Sequence, residues 1–232
     1  MDANWAHTDP SSRTSGLGTG DFFASDTNIR RALHPVTQVP AGRAWNLADL
    51  DGLIDLNVPL RPAAVLVGLV PRPEALTILL TVRNGDLRHH AGQVSFPGGS
   101  LEPADRGPAA AALRETQEEV GIPPALVHPL GWLDPIATIT GFRVLPLVAQ
   151  LPADIAPVAD PREVARIFEV PAGYLLDRAN QRRLTVRLRG RTREVLEYAT
   201  PAGAERIWGV TALILGNFID RLDALAARQT RT

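Results

Sequence analysis

The sequence predicts an α/β domain built on a mixed β-sheet, and three observations predict it. Two apolar runs of strand length stand close together, "AAVLVGLV" (63–70) and "LTILLTVR" (76–83), joined by the turn-forming "PRPEA". An alanine run opened by Pro108 and closed by Gly121 reads as a helix over 108–120, with proline at a first helical position and glycine as the terminator. Strand-like and helix-like segments then alternate irregularly, without the repeated strand–helix units of an all-parallel sheet.

Taken in order, residues 1–25 are rich in Ser, Thr, Gly and Asp and read as a flexible lead-in. We assign 1–45 to an N-terminal extension, partly flexible, and 46–232 to the folded domain; "NIRRALH" and "NLADLDGLIDL" each suit a short helix. After the two strands, "GQVSFPGGS" alternates Val94 and Phe96 with polar neighbours until Pro-Gly-Gly breaks the pattern. "LVHPLGWLDPI" and "GFRVLPLVAQL" read as further strands, and "PREVARIFEVPAGYLLD" as a short helix, a strand end and another helical turn. "RRLTVRLRGRTREVLEYA" alternates apolar and charged residues about a glycine, so it reads as an exposed hairpin. "VTALILGNFIDRLDALAAR" is a long amphipathic helix.

Composition removes several functions. A chain of 232 residues has the size of one domain with a tail. Its formal net charge of −1 provides no global field for nucleic acid or an anionic membrane, so any grip on an anion must be local. The basic "RRLTVRLRGRTR" lacks the aromatic interleaving of a nucleic-acid surface. With no cysteine, there are no disulfides, thiolate metal sites or cysteine nucleophiles. No apolar run reaches the roughly 18 residues of a membrane span, and the N-terminus lacks a secretory pattern. A cytoplasmic enzyme acting on a small molecule is the expectation. The hairpin and the C-terminal helix are candidate surfaces for a homodimer.

The chemistry concentrates in "LRETQEEVGI", Leu113 to Ile122. At about 100° per residue, Glu115, Glu118 and Glu119 share one arc of the helix. Ala109, Leu113, Thr116 and Val120 form a core stripe opposite, so the carboxylates are expected to point away from the core. Like charges so placed repel by a few tenths of a kcal/mol. Arg114, four residues before Glu118, pairs with one of them and leaves two side by side. Two readings follow from these residues alone: a solvated helix face, or an oxygen-rich seat for a hard divalent cation such as Mg²⁺ or Mn²⁺.

The flanking sequence bears on that choice. Gly99 upstream, with Arg114, Glu115, Glu118, Glu119, Gly121 and Ile122, resembles the Nudix box of the Nudix hydrolases, G-x5-E-x7-R-E-U-x-E-E-x-G-U with U aliphatic. Counting forward from Gly99 puts the first acid on Asp105, while counting back from Arg114 puts it on Arg106. The loop is therefore one residue longer than the pattern, and Thr116 stands at an aliphatic position. Immediately before the box, "LLTVRNGDLRHHAGQVSFPGG" (79–99) is similar to the signature of the coenzyme A pyrophosphatase branch, whose box carries this same extra residue. Leu87, Arg88, His90, Gly92, Gln93, Val94, Phe96, Pro97, Gly98 and Gly99 match it, and the likeness covers roughly residues 60–225.

The resemblance implies an α/β/α sandwich around a mixed sheet. It implies hydrolysis of a pyrophosphate that joins a nucleotide to another moiety, giving 3′,5′-ADP and 4′-phosphopantetheine from coenzyme A. Glu115 and Glu119 would ligate Mg²⁺ or Mn²⁺, with Glu118 assisting, the Gly99 carbonyl adding an oxygen and Arg114 orienting the glutamates. Arg83, Arg88, His90 and Gln93 would bind substrate, since arginine presents a fork matched to phosphate. Glu102 and Asp105 are candidates for a general base. Two alternatives stay open: a Nudix hydrolase for a dinucleotide or a nucleoside diphosphate sugar, or a binding module of the same fold without catalysis. The intact glutamates argue against the second.

Overall fold

The computed structural model describes residues 26–55, 57–85, 92–188, 190–200 and 205–230; the lead-in 1–25 lies outside them. The sheet is organised by β1 (Arg61–Pro71), which pairs along its whole length in parallel with β7 (Phe142–Gln150), from Arg61 opposite Phe142 to Leu69 opposite Gln150. Its other edge is shared. The first half pairs antiparallel with β4 (Gly98–Ser100) and the second half with β2 (Leu76–Arg83), so the sheet forks at the middle of β1. Strand β2 also takes β8 (Val164–Pro171) on its far edge and β3 (Val94–Ser95) at its end. Strands β5 (His128–Trp132) and β6 (Ile136–Ala137) complete the edge beyond β7.

Both faces of β1 are apolar because both are covered, as expected for a strand inside a sandwich. Ala64, Leu66 and Val70 face the helix Pro108–Val120 with Ala111, Ala112 and Val120, and Ala63, Val67 and Leu69 face the opposite layer. That opposite layer consists of a helix Asp26–Ala32, here α1, and the long C-terminal helix Gly209–Gln229. The helix Pro108–Val120 is α2, the short Ala172–Leu175 is α3 and Gly209–Gln229 is α4. The result is the α/β/α sandwich about a mixed sheet.

The helix α2 has the bounds read from sequence. It closes on Gly121, whose φ of 67° lets its N–H reach the Gln117 carbonyl at 3.0 Å. Thr116 at the aliphatic position is fully buried, and its hydroxyl donates to the Ala112 carbonyl at 2.6 Å, so no polar group is left unpaired. Elsewhere the structure departs from expectation. Pro-Gly-Gly does not end the strand run: the chain kinks at Pro97 and resumes at once as β4. "PREVARIFEVP" is chiefly the strand β8 rather than a short helix, because its backbone completes the edge of β2.

The hairpin forms from β9 (Arg182–Leu188) and β10 (Arg191–Ala199), joined by β11 (Arg206–Trp208) into a second, three-stranded sheet. It is not simply exposed. Tyr198 is fully buried, and its hydroxyl accepts from Gln181 Nε2 at 2.6 Å. The described part of the N-terminal extension also packs on the domain: Ile29, Ala32 and Leu33 are buried in the layer of α4, and His34 pairs its backbone with Trp132. Asp134 ties this corner together, accepting from Arg221 Nη1 at 3.0 Å and Asn217 Nδ2 at 3.0 Å, with His34 Nε2 at 2.8 Å from its other oxygen.

Candidate active site

The fork in the sheet places two glycines against α2, and this creates the site. A Cβ at Gly98, which has φ of 148°, would lie 2.4 Å from the Ala64 carbonyl oxygen. A Cβ at Gly99 would lie 2.4 Å from Glu115 Oε1. Only strand without side chains lets the helix carboxylates lie this close to the backbone. The helix wheel placed the glutamates away from the core; for Glu119 that is corrected. Its side chain is 1% exposed, sunk in the slot beside Gly98, whose N–H donates to Oε2 at 3.3 Å. Glu115 is 16% exposed and Glu118 54%, so the arc runs from solvent into the interior.

Burial sets the electrostatics. Loss of solvent pushes the Glu119 carboxyl up to about 7, opposed by the nearby Arg83 charge and by the Gly98 N–H. Burial also raises Glu115, with Arg114 pulling the other way. Arg83, at the end of β2, donates from Nη1 to Glu119 Oε1 at 3.4 Å. Its backbone is held by Gln93, whose carbonyl accepts from Arg83 N at 3.0 Å, and by Gly92 N, which donates to the Arg83 carbonyl at 3.1 Å. Gln93 thus stands at the base of the loop that precedes β3. Arg88 and His90, the other substrate-binding candidates, lie outside the described residues.

Arg114 organises the outer half of the site. Its Nε and Nη2 grip the two oxygens of Asp105, each at 3.2 Å, and Nη2 also donates to the Ser100 carbonyl. Nη1 reaches Glu118 at 2.9 Å and lies 3.1 Å from Glu115 Oε1. Asp105 therefore takes the arginine-holding place in spite of the longer loop, and the Arg114 fork lowers its carboxyl below the usual range. Asp105 has no oxygen to spare for a base role, and Glu102 is 58% exposed and 3.9 Å from Arg114.

One acid near the site was not singled out from sequence. The segment after β7 runs beside the end of α2, with Val158 N donating to Val120 O at 2.9 Å and Asp160 N to Glu119 O at 3.0 Å. It then returns to β2, where Glu163 O accepts from Asn84 N at 2.8 Å. Glu163 is half-buried, and its charge raises the carboxyls of both Glu115 and Glu119. No motif marks it; its only sequence signal is an acid at the start of a strand, and folding alone brings it across from Arg83.

Among the described residues, no three acidic or imidazole groups close around a common point. Arginines hold the carboxylates instead: Arg114 takes Glu115 and Glu118, and Arg83 takes Glu119. The donor set nevertheless fits a hard divalent ion. Glu115 lies against the backbone of Gly99 in a cradle that any side chain at 99 would fill, and Glu119 is a sunken carboxyl whose charge is under-compensated. Paired carboxylates flanked by two arginines suit a divalent cation held beside phosphate oxygens.

The chain belongs to the Nudix hydrolase family: the NUDIX domain matches residues 59–189. The uncharacterized Nudix hydrolase NudL of Yersinia pestis (strain Pestoides F) is 42% identical over 155 residues, covering 67% of this chain and 76% of the relative. NudL of Yersinia pseudotuberculosis serotype O:3 (strain YPIII) matches equally. Among solved structures, the chain is similar to a MutT/nudix family protein from Enterococcus faecalis (TM-score 0.47, 17% identical, covering 73% of this chain and 64% of that one). It is also similar to the MutT protein of Methanosarcina mazei Go1 (TM-score 0.45, 18% identical, covering 75% and 99%). Nudix hydrolases generally use divalent metal ions and act on small-molecule nucleotides. No helix among the described residues is long and apolar enough to cross a membrane.

Proposed function

We propose that this enzyme hydrolyses the pyrophosphate of coenzyme A or its derivatives, releasing 3′,5′-ADP and 4′-phosphopantetheine or its acylated form. The observation that carries this reading is the run from Leu79 to Gly99 joined to a box one residue longer than usual, in which Asp105 still reaches Arg114 with both oxygens. The longer loop thus keeps the Arg114 contact, which supports the likeness to the coenzyme A branch.

Glu115 and Glu119, with the Gly99 carbonyl and with Glu118 assisting, would hold Mg²⁺ or Mn²⁺. The ion supplies Lewis-acid polarisation of the phosphate and a lowered pKa for the attacking water. Arg114 orients Glu115 and Glu118 through charge-assisted hydrogen bonds and is itself fixed by Asp105. Arg83 and Gln93, at the end of β2 and just before β3, would bind the phosphates together with Arg88 and His90, which the subfamily resemblance adds. Glu163 would accept the proton of the attacking water: Asp105 is taken up by Arg114, whereas Glu163 is half-buried and close enough to Glu115 and Glu119 for its charge to act on both carboxyls. The water oxygen bonds to phosphorus as the bridging P–O bond breaks, and the bridging oxygen leaves with the other phosphate.

A substrate panel tests the reading. Coenzyme A and its thioesters should be cleaved with higher kcat/KM than dinucleotides or nucleoside diphosphate sugars. Preference for either of the latter would keep the family chemistry and remove the substrate assignment.

A further inference from the structure

The two arginines of the site are used very differently. Arg114 spends all three guanidinium nitrogens on Asp105, Glu118, Glu115 and the Ser100 carbonyl. Arg83 makes one contact among the described residues, Nη1 to Glu119 Oε1, at a distance near the outer limit for a hydrogen bond. Its backbone is fixed on both sides by Gln93 and Gly92, but its side chain is 26% exposed and leaves Nε and Nη2 to solvent or ligand. Glu119, in turn, has one oxygen on the Gly98 N–H and the other on Arg83, and it is closed to water. A cation ligated through Oε1 would meet the Arg83 guanidinium at that same oxygen.

We propose that Arg83 and the divalent cation compete for Glu119 Oε1, and that the cation, by displacing Arg83, turns its guanidinium fork toward the substrate phosphates. The inference rests on the metal role of Glu119 given above. Its consequence is an order of events. While Nη1 is tied to Glu119, Arg83 has only its Nε and Nη2 edge for phosphate and is held in place by the carboxylate; released, it would offer all three nitrogens and the freedom to align them with the pyrophosphate. Metal and substrate then reinforce one another through a single side chain.

The test is Mn²⁺ titration of the full chain without substrate, followed by electron paramagnetic resonance, on wild type, Arg83→Gln and Arg83→Lys. Circular dichroism checks that each is folded, and since the bonds that fix position 83 are backbone bonds, both variants retain them. Arg83→Gln should bind Mn²⁺ three- to tenfold more tightly than wild type, because the competing cation is gone. Arg83→Lys keeps a positive charge and should return toward wild-type affinity. Both variants should raise KM for coenzyme A at saturating metal by tenfold or more, with kcat changed far less, since a lysine lacks the fork. Equal or weaker Mn²⁺ binding by Arg83→Gln would overturn the competition while leaving the metal site standing. Wild type that binds no Mn²⁺ would overturn the metal role of Glu119 and this inference together.

Discussion

Glu119→Gln should stabilise the protein in EDTA at alkaline pH and weaken it in metal. The magnitude comes from the carboxyl's position. Held at about 7 in the folded protein against an ordinary value of 4.5, the group favours the folded state only while protonated. Between these two pH values the folded protein keeps a proton that the unfolded chain has lost, so stability falls as pH rises through the window. Above pH 7 the full cost of the buried charge, roughly 3 kcal/mol, is present. A glutamine keeps the shape and still accepts from Gly98 N–H, but has no charge to bury. In EDTA at pH 8.5 the variant should melt roughly 6–12 °C above wild type for a domain of this size. At pH 4.5 the two should nearly coincide. Mn²⁺ at about 1,000 times its Kd should invert the order, because it adds roughly 4.1 kcal/mol to the protein that binds it, more than the cost of the buried charge. Differential scanning fluorimetry across pH reads all three conditions. A variant whose advantage is the same at pH 4.5 and 8.5 would refute the claim that a buried charge at Glu119 causes it.

Other outcomes follow from the same geometry. Gly98→Ala forces a Cβ onto the Ala64 carbonyl at a φ of 148° and should cost about 3 kcal/mol or more in denaturant melts. Gly99→Ala meets only the movable end of Glu115, so it should fold but lose on the order of 100-fold in kcat through misplacement of that carboxylate. Glu163→Gln should lower kcat roughly 100-fold or more; a kcat within twofold of wild type would remove it from the chemistry. Asp105→Ala should lower the melting temperature at neutral pH, and since Arg114 holds the Asp105 carboxyl below its ordinary 3.8, the difference from wild type should fade as pH falls through and below that value.

What was legible in the sequence was whatever repeats locally. The bounds of α2 follow from Pro108, the alanines and Gly121, and β1 and β2 from unbroken apolar runs between turn residues. The glutamates were found by spacing. Their depth was not, because a helical wheel relates side chains to one another and not to the neighbouring strand. Glu119 is buried where the helix meets β4, with its carboxylate on the Gly98 N–H. Gly98 and Gly99 were taken for a strand break, when their ladder partners Val65 and Ala64 make them a strand. Counting positions left Asp105 ambiguous, and the Arg114 fork resolved it through space. Glu163 is 44 residues beyond Glu119 in sequence and is brought back by backbone pairing at Asp160 and Asn84, which no local pattern encodes.

The central claim is tested most directly by chromatographic analysis of the products after purified protein is incubated with coenzyme A and Mg²⁺ or Mn²⁺. The account predicts equal amounts of 3′,5′-ADP and 4′-phosphopantetheine, absent in EDTA and reduced by orders of magnitude in Glu119→Gln. Intact coenzyme A under conditions where the same preparation cleaves a dinucleotide or a nucleotide sugar would contradict it.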